Sequence, residues 1–253
     1  MTAAPAPDRA LGRVPNRILD RPLDRALARA AIAGQVLVTA AWLIGETVQT
    51  GGYSVAGHDI SDLGALTADH PWVILIPQGV SGVLTMAFAL LALRPALAAR
   101  GHYGAISAWL VALSAAGLDD LSDAFFRLDC RAADPGCTEL VATSSWHGAI
   151  HGVVGSVTFV FLVIAPFALA RRMRLVPAWR SLAGPTFGYG VLLLLSVSIY
   201  VALSLTAVAG YAQRAVALLG SLGVIVLALR VLSTTCVRPE ESAERLISAG
   251  KRA

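Results

Sequence analysis

Two aspartates and two histidines in this chain are spaced to do chemistry together. Asp119 and Asp123 stand four residues apart at the end of one apolar run, and His147 and His151 four apart at the start of the next. On a helix, residues at i and i+4 share a face about 5.4 Å apart along the axis, and Ser122 borders the acidic face. If the two helices are antiparallel neighbours, Asp123 comes level with His147, and Asp119, one turn deeper, with His151. Three readings fit such a constellation. Paired imidazoles with nearby carboxylates can hold zinc or another divalent ion and lower the pKa of a bound water. A histidine oriented by an aspartate can act as general base while a second acid protonates the leaving group. Or the charges form a structural network, because a lone acid in hydrocarbon is costly.

Other residues could join this site. His58 or His70 would complete a metal set if the first outer loop folds over the mouth, whereas His102 belongs to the opposite side. Of the three cysteines, Cys130 and Cys137 flank Asp134-Pro135-Gly136, good turn chemistry, and a disulfide there is expected; Cys236 has no candidate partner. Arg214 is the cation on the acidic face outside the second outer loop, suited to neutralising an acid or to holding an anionic headgroup by bidentate contacts.

The elements that must position these groups are membrane spans. Hydrophobic residues make up 56% of the 253, charged ones only 14%, and mean hydropathy is +0.68, against a charged share of about a quarter in soluble domains. Runs of about 20 apolar residues match a bilayer core of about 30 Å. Six are predicted, at about Ala30–Val48, Trp72–Leu93, Tyr103–Leu121, Trp146–Ala170, Leu182–Leu205 and Tyr211–Thr235. With both termini cytoplasmic, all of the 20 Lys and Arg except Arg127, Arg131 and Arg214 fall inside, as the positive-inside rule requires. Glu46, Asp59, Asp62, Asp69, Asp119, Asp120, Asp123, Asp129, Asp134 and Glu139 lie at or near the outer side. The pI near 9.3 therefore reflects topology and not nucleic-acid binding.

Residues 1–29 read as a basic, Pro-rich tail, disordered or lying on the headgroups, with Arg9, Arg13, Arg17, Arg21, Arg25 and Arg29 at every fourth position. Residues 30–237 form the membrane domain and 238–253 a short cytoplasmic tail. Gln35 and Glu46 in the first span should face inward. Pro77 predicts a kink in the second, where Gln78, Ser81 and Thr85 form a polar face for bonding between helices. Gly148, Gly152 and Ser156 make a small-residue stripe for close packing beside the histidines.

At Ile60-Ser61-Asp62-Leu63-Gly64 the chain resembles a bacterial six-span family known as domain of unknown function 998, whose first outer loop carries a similar S-D-L-G signature. That family shows an aromatic residue and an acid after its third helix and G-x-I-H near the start of its fourth. The matching positions are Phe126, Asp129, Gly148, Ile150 and His151. The same motif resembles that of the eukaryotic DRAM/Frag-type six-span proteins, some linked to lipid-anchor remodelling, although His58 and Asp59 replace the proline and tyrosine of that pattern. The likeness singles out His151 and Asp62. Asp119, Asp123 and His147 rest on spacing alone.

The sequence thus predicts an all-α, multi-pass cell-membrane protein, a bundle of six transmembrane helices with an outward-facing pocket. There His147, His151, Asp119, Asp123 and Asp62 would act on a lipid or other amphiphile by hydrolysis or transfer. Ser61, Ser122 and Arg214 would hold the substrate, and one divalent ion, zinc first, is the cofactor implied by the metal reading. A non-enzymatic transporter, proton-coupled sensor or assembly factor is the alternative on the same polar groups, and a membrane-embedded terpene cyclase a third.

Overall fold

The computed structural model describes residues 22–98 and 105–235. Arg9, Arg13, Arg17, Arg21, His102, Cys236 and the tail after Arg238 lie outside them. The described residues contain helices and no strand. Helix α1 spans Pro22–Thr47, α2 Trp72–Ala96, α3 Ala105–Ala112 and α4 Asp120–Asp123. There follow α5 Glu139–Ala142, α6 Trp146–Met173, α7 Ala183–Leu203 and α8 Ala209–Thr235. Among the described residues, five helices are long and apolar enough to cross a membrane: α1, α2, α6, α7 with its 3₁₀ lead-in from Pro177, and α8.

Two expectations change. The first helix starts at Pro22 and not near Ala30, with Asp24 and Ala28 already buried, because proline suits a first helical turn and the alanines behind it pack on the bundle. The predicted third span is not one helix. Ser114 adopts an extended backbone (φ −78°, ψ 177°) between α3 and a π-helical turn at Ala115–Asp119 that leads into α4. Its hydroxyl and its backbone N–H both donate to the Val111 carbonyl, at 2.8 and 3.3 Å, which closes the end of α3 within the chain. Two glycines make room. A Cβ on Gly117 would collide with the Ala112 carbonyl, and one on Gly82 of α2 would stand 2.5 Å from the Leu121 nitrogen and 2.6 Å from the Gly117 oxygen.

The elements close a ring in chain order. α1 packs on α2, α2 on the broken segment 105–123, that segment on α6, α6 on α7, α7 on α8, and α8 back on α1. Phe88, Leu93, Met173, Trp179 and Val231 fill the core of the inner half, while Val38, Trp42, Leu63 and Ile74 fill the end that carries the polar site. The outward faces are apolar, with residues such as Ile44, Ile76, Val153, Leu195 and Leu229 exposed. Such a surface suits lipid and not water. Inside, the buried Gln35 amide donates to Ser81 and Thr85, both at 3.0 Å, so the polar face of α2 is used as expected. Ser81 also reaches Asp120, which ties α1, α2 and α4 into one network.

Candidate functional site at the polar end of the bundle

The beginning of α6 is fixed from outside the helix. Ser145 caps it, accepting from the Gly148 N–H at 3.2 Å. Asp129 in turn accepts from the Ser145 N–H at 2.7 Å and from its hydroxyl at 2.5 Å. These donors hold the Asp129 carboxyl below its ordinary range. Gly148 lets the helix press on α5, since a Cβ there would lie 2.5 Å from the Ala142 oxygen. The small-residue stripe therefore packs on an outer-loop helix and not on another span. Gly152 touches only the Thr143 methyl, and Ser156 is exposed.

One turn along α6, His151 meets the acids. Its Nδ1 lies 2.9 Å from Asp123 Oδ1 and 3.2 Å from the Phe126 carbonyl oxygen. Two oxygens facing one ring nitrogen require a hydrogen on it, so Nδ1 is the protonated nitrogen; its hydrogen points to the Phe126 carbonyl, and Asp123 Oδ1 stands beside it as an ion-pair partner. Among the described residues Nε2 has no hydrogen-bond partner. Gln78 Nε2 stands 3.4 Å from Asp123 Oδ2, steadying the carboxylate. His151 and Asp123 line a small cavity of about 10 Å³ together with Ser61, Gln78 and Arg127, room for about one water molecule.

The expected pairing is thus off by one turn. Asp123 faces His151 and not His147, and Asp119 lies deeper, its Oδ1 3.7 Å from where a Gly155 Cβ would stand. The break at Ser114 and the π-helical turn change the depth at which the acids emerge, and the Phe126 backbone occupies the next level up. His147 stacks on Trp146, with ring centroids 3.6 Å apart, and leans on Phe126 at 6.2 Å. The two imidazoles on which a zinc site was expected have different neighbours, aromatic rings for His147 and Asp123 for His151. Among the described residues, no group of three or more His, Cys, Asp and Glu is arranged to hold a metal ion. His58 and His70 do not join either: His58 Nδ1 accepts from the Ser54 N–H at 2.8 Å, and His70 packs beside Trp72.

A plate made from both outer loops covers the site. The 3₁₀ turn Ile60–Gly64 sends successive side chains to different sides. Ser61 lines the small cavity and makes no side-chain hydrogen bond among the described residues, while the buried Asp62 accepts from the Ala132 N–H of the second loop at 3.1 Å. Burial pushes the Asp62 carboxyl up to about 6, that hydrogen bond pulling the other way. Asp62 therefore joins the loops and is not on the cavity with His151. Arg127 closes the same turn, donating to the carbonyls of Gly64 and Ala65, both at 2.7 Å. Arg131 bonds Asp134 at 2.7 Å, Gln49 and Thr50 at 3.1 Å and Asp69 at 3.2 Å. Cys130 and Cys137 are joined by a disulfide, as expected. Ser122 is buried with its hydroxyl unpartnered, away from the small cavity.

Arg214 is a clamp inside the bundle. It bonds Glu46 at 2.6 Å, the Tyr53 hydroxyl at 2.6 Å, and the carbonyls of His58 and Gly210 at 2.8 and 2.9 Å. With its donors so committed it is not poised for an anionic substrate. The sequence marks Gln78 only as part of a polar helix face and Arg127 only as one of three cations on the acidic side. The helical spacing of Gln78 with Ser81 and Thr85 was a signal for the first, whereas a lone loop arginine carries none.

The residues that carried the family resemblance surround this arrangement: Phe126 touches His151, Asp129 and Gly148 fix the helix start, and the Ser61–Gly64 motif is the 3₁₀ turn. No curated protein and no solved structure matches the chain. The model described as Protein of unknown function (DUF998) matches residues 32–230, and the chain belongs to that family.

Proposed function

We propose that this membrane protein is an acid–base enzyme acting on an ester-linked lipid or similar amphiphile at the outer leaflet, with His151 as base and Asp123 as the group that orients it. The observation that carries the reading is the contact of Asp123 with His151 Nδ1 on a small cavity, which leaves Nε2 to exchange a proton with a reactant. The surroundings suit an amphiphile. Trp72, Phe125, Leu140 and Trp146 are all more than half exposed at this end of the bundle, and aromatic side chains favour the level of the headgroups. The reading takes residues 105–123 as the sixth span, its irregular backbone covered by α2 and α6, which is where a bilayer tolerates such a break. It also takes both termini as cytoplasmic, which the arginine bias supports. Asp119 is a reserve acid beneath the pair.

The test is lipid mass spectrometry on vesicles of phosphatidylethanolamine and phosphatidylglycerol carrying the purified protein. The expected result is release of fatty acid or appearance of a transacylated lipid, slowed about 10²–10⁴-fold by Asp123→Asn or His151→Ala. Unchanged lipids, with proton flux that depends on His151, would overturn this reading in favour of a transporter.

A further inference from the structure

We infer that Ser61 is a covalent nucleophile, so that the site is a Ser61–His151–Asp123 triad forming an acyl-enzyme; this rests on the acid–base reading of His151. Asp123 holds Nδ1 of the imidazole at 2.9 Å, which leaves Nε2 as the nitrogen able to take a hydroxyl proton. Ser61 shares the about 10 Å³ cavity with that ring. Both residues line a void with room for about one water, and in the proposed triad the Ser61 hydroxyl and Nε2 come within reach of each other through that water. The Ser61 hydroxyl is half-buried and has no hydrogen-bond partner among the described residues, unlike its neighbour Asp62, which is tied to Ala132. The 3₁₀ turn that presents Ser61 is braced by the two bonds from Arg127.

The same cavity holds donors for a developing oxyanion. Arg127 spends Nε and Nη2 on the Gly64 and Ala65 carbonyls, and its Nη1 has no acceptor among the described residues; the Gln78 amide also lines the cavity. A cationic donor and an amide beside a nucleophile are the equipment for an acyl carbonyl whose oxygen gains charge on attack. In the first step Ser61 Oγ bonds to the acyl carbon and its proton passes to His151 Nε2. The bond from that carbon to the leaving alcohol breaks, and Nε2 returns the proton to the alcohol. Water, or a second lipid hydroxyl, then attacks the acyl-serine, giving its proton to Nε2, which hands it to Ser61 Oγ as the acid or new ester departs. The substrate class is therefore a carboxylic ester.

A long-chain fluorophosphonate tests this directly, since it bonds phosphorus to an activated serine with loss of fluoride. The full chain in detergent should carry the label on the peptide containing Ser61. The label should be absent in Ser61→Ala and form about 10²-fold more slowly in His151→Ala, with both variants melting as the wild type does. As a second probe, Ser61→Cys should be alkylated by iodoacetamide faster with His151 present than with His151→Ala. Labelling elsewhere, or of Ser61 at equal rates with and without His151, overturns the proposal. If no label forms while His151-dependent lipid turnover persists, the nucleophile assignment fails and the acid–base reading stands. If neither occurs, both fail.

Discussion

A carboxylate on the Nδ1 side of an imidazole fixes the ring's tautomer and steadies the cation formed when Nε2 takes a proton. Asp123 is in place to do both for His151. Asp62 has a different part, for it is buried and bonded to the opposite loop, with its second oxygen unpartnered. Its carboxyl is pushed up to about 6 by burial. Between the ordinary carboxylate range and that value, the folded chain keeps a proton that the unfolded chain has released. Stability therefore falls as pH rises through the window and levels off above it. Melting curves in detergent between pH 4 and 7 should show this slope, up to about 1.4 kcal/mol per pH unit, and Asp62→Asn should flatten it. A variant with the wild-type slope would mean that the Asp62 carboxyl does not titrate in that window. The chemical identity of these residues was legible in the sequence, because acids and histidines in an apolar chain stand out. Their partners were not, since the turn that parts Ser61 from Asp62 leaves no periodic mark.

Whole elements set the register. The run Val111-Ala112-Leu113-Ser114-Ala115-Ala116-Gly117 reads as continuous apolar helix, with no proline to betray a break. Small residues permit either geometry, and packing against Gly82 selects the broken one. The five other spans were legible because long apolar runs leave few alternatives. The pairing of Asp123 with His151 was not, because the break at Ser114 and the π-helical turn after it together reset the rotation and depth of the acids and leave no mark in the apolar pattern. Gly82→Val would force α2 away from the Leu121 and Gly117 backbone. We expect a loss of about 1–3 kcal/mol in stability together with loss of lipid turnover, since α4 carries Asp123. Gly188→Ala, where a Cβ meets nothing within 4 Å, should leave both unchanged, and thermal melts alongside the vesicle assay compare them.

At the scale of the molecule, the ring of helices presents a polar end under a stapled two-loop plate and an apolar belt toward lipid. In the proposed function that end lies outside the cell. Leu140, 85% exposed on α5, offers a reporter. In a Cys236→Ser background, Leu140→Cys should react with a membrane-impermeant maleimide on intact cells, and reaction only after permeabilisation would invert the topology. Two histidines stand in the first turns of α6, His147 and His151, and of these His151 faces Asp123. The most direct test of the account is lipid turnover in vesicles by His151→Ala and His147→Ala side by side. Turnover should be lost with the first and kept within a few-fold with the second; equal loss from both, or retention in His151→Ala, would contradict a site built on the Asp123–His151 pair.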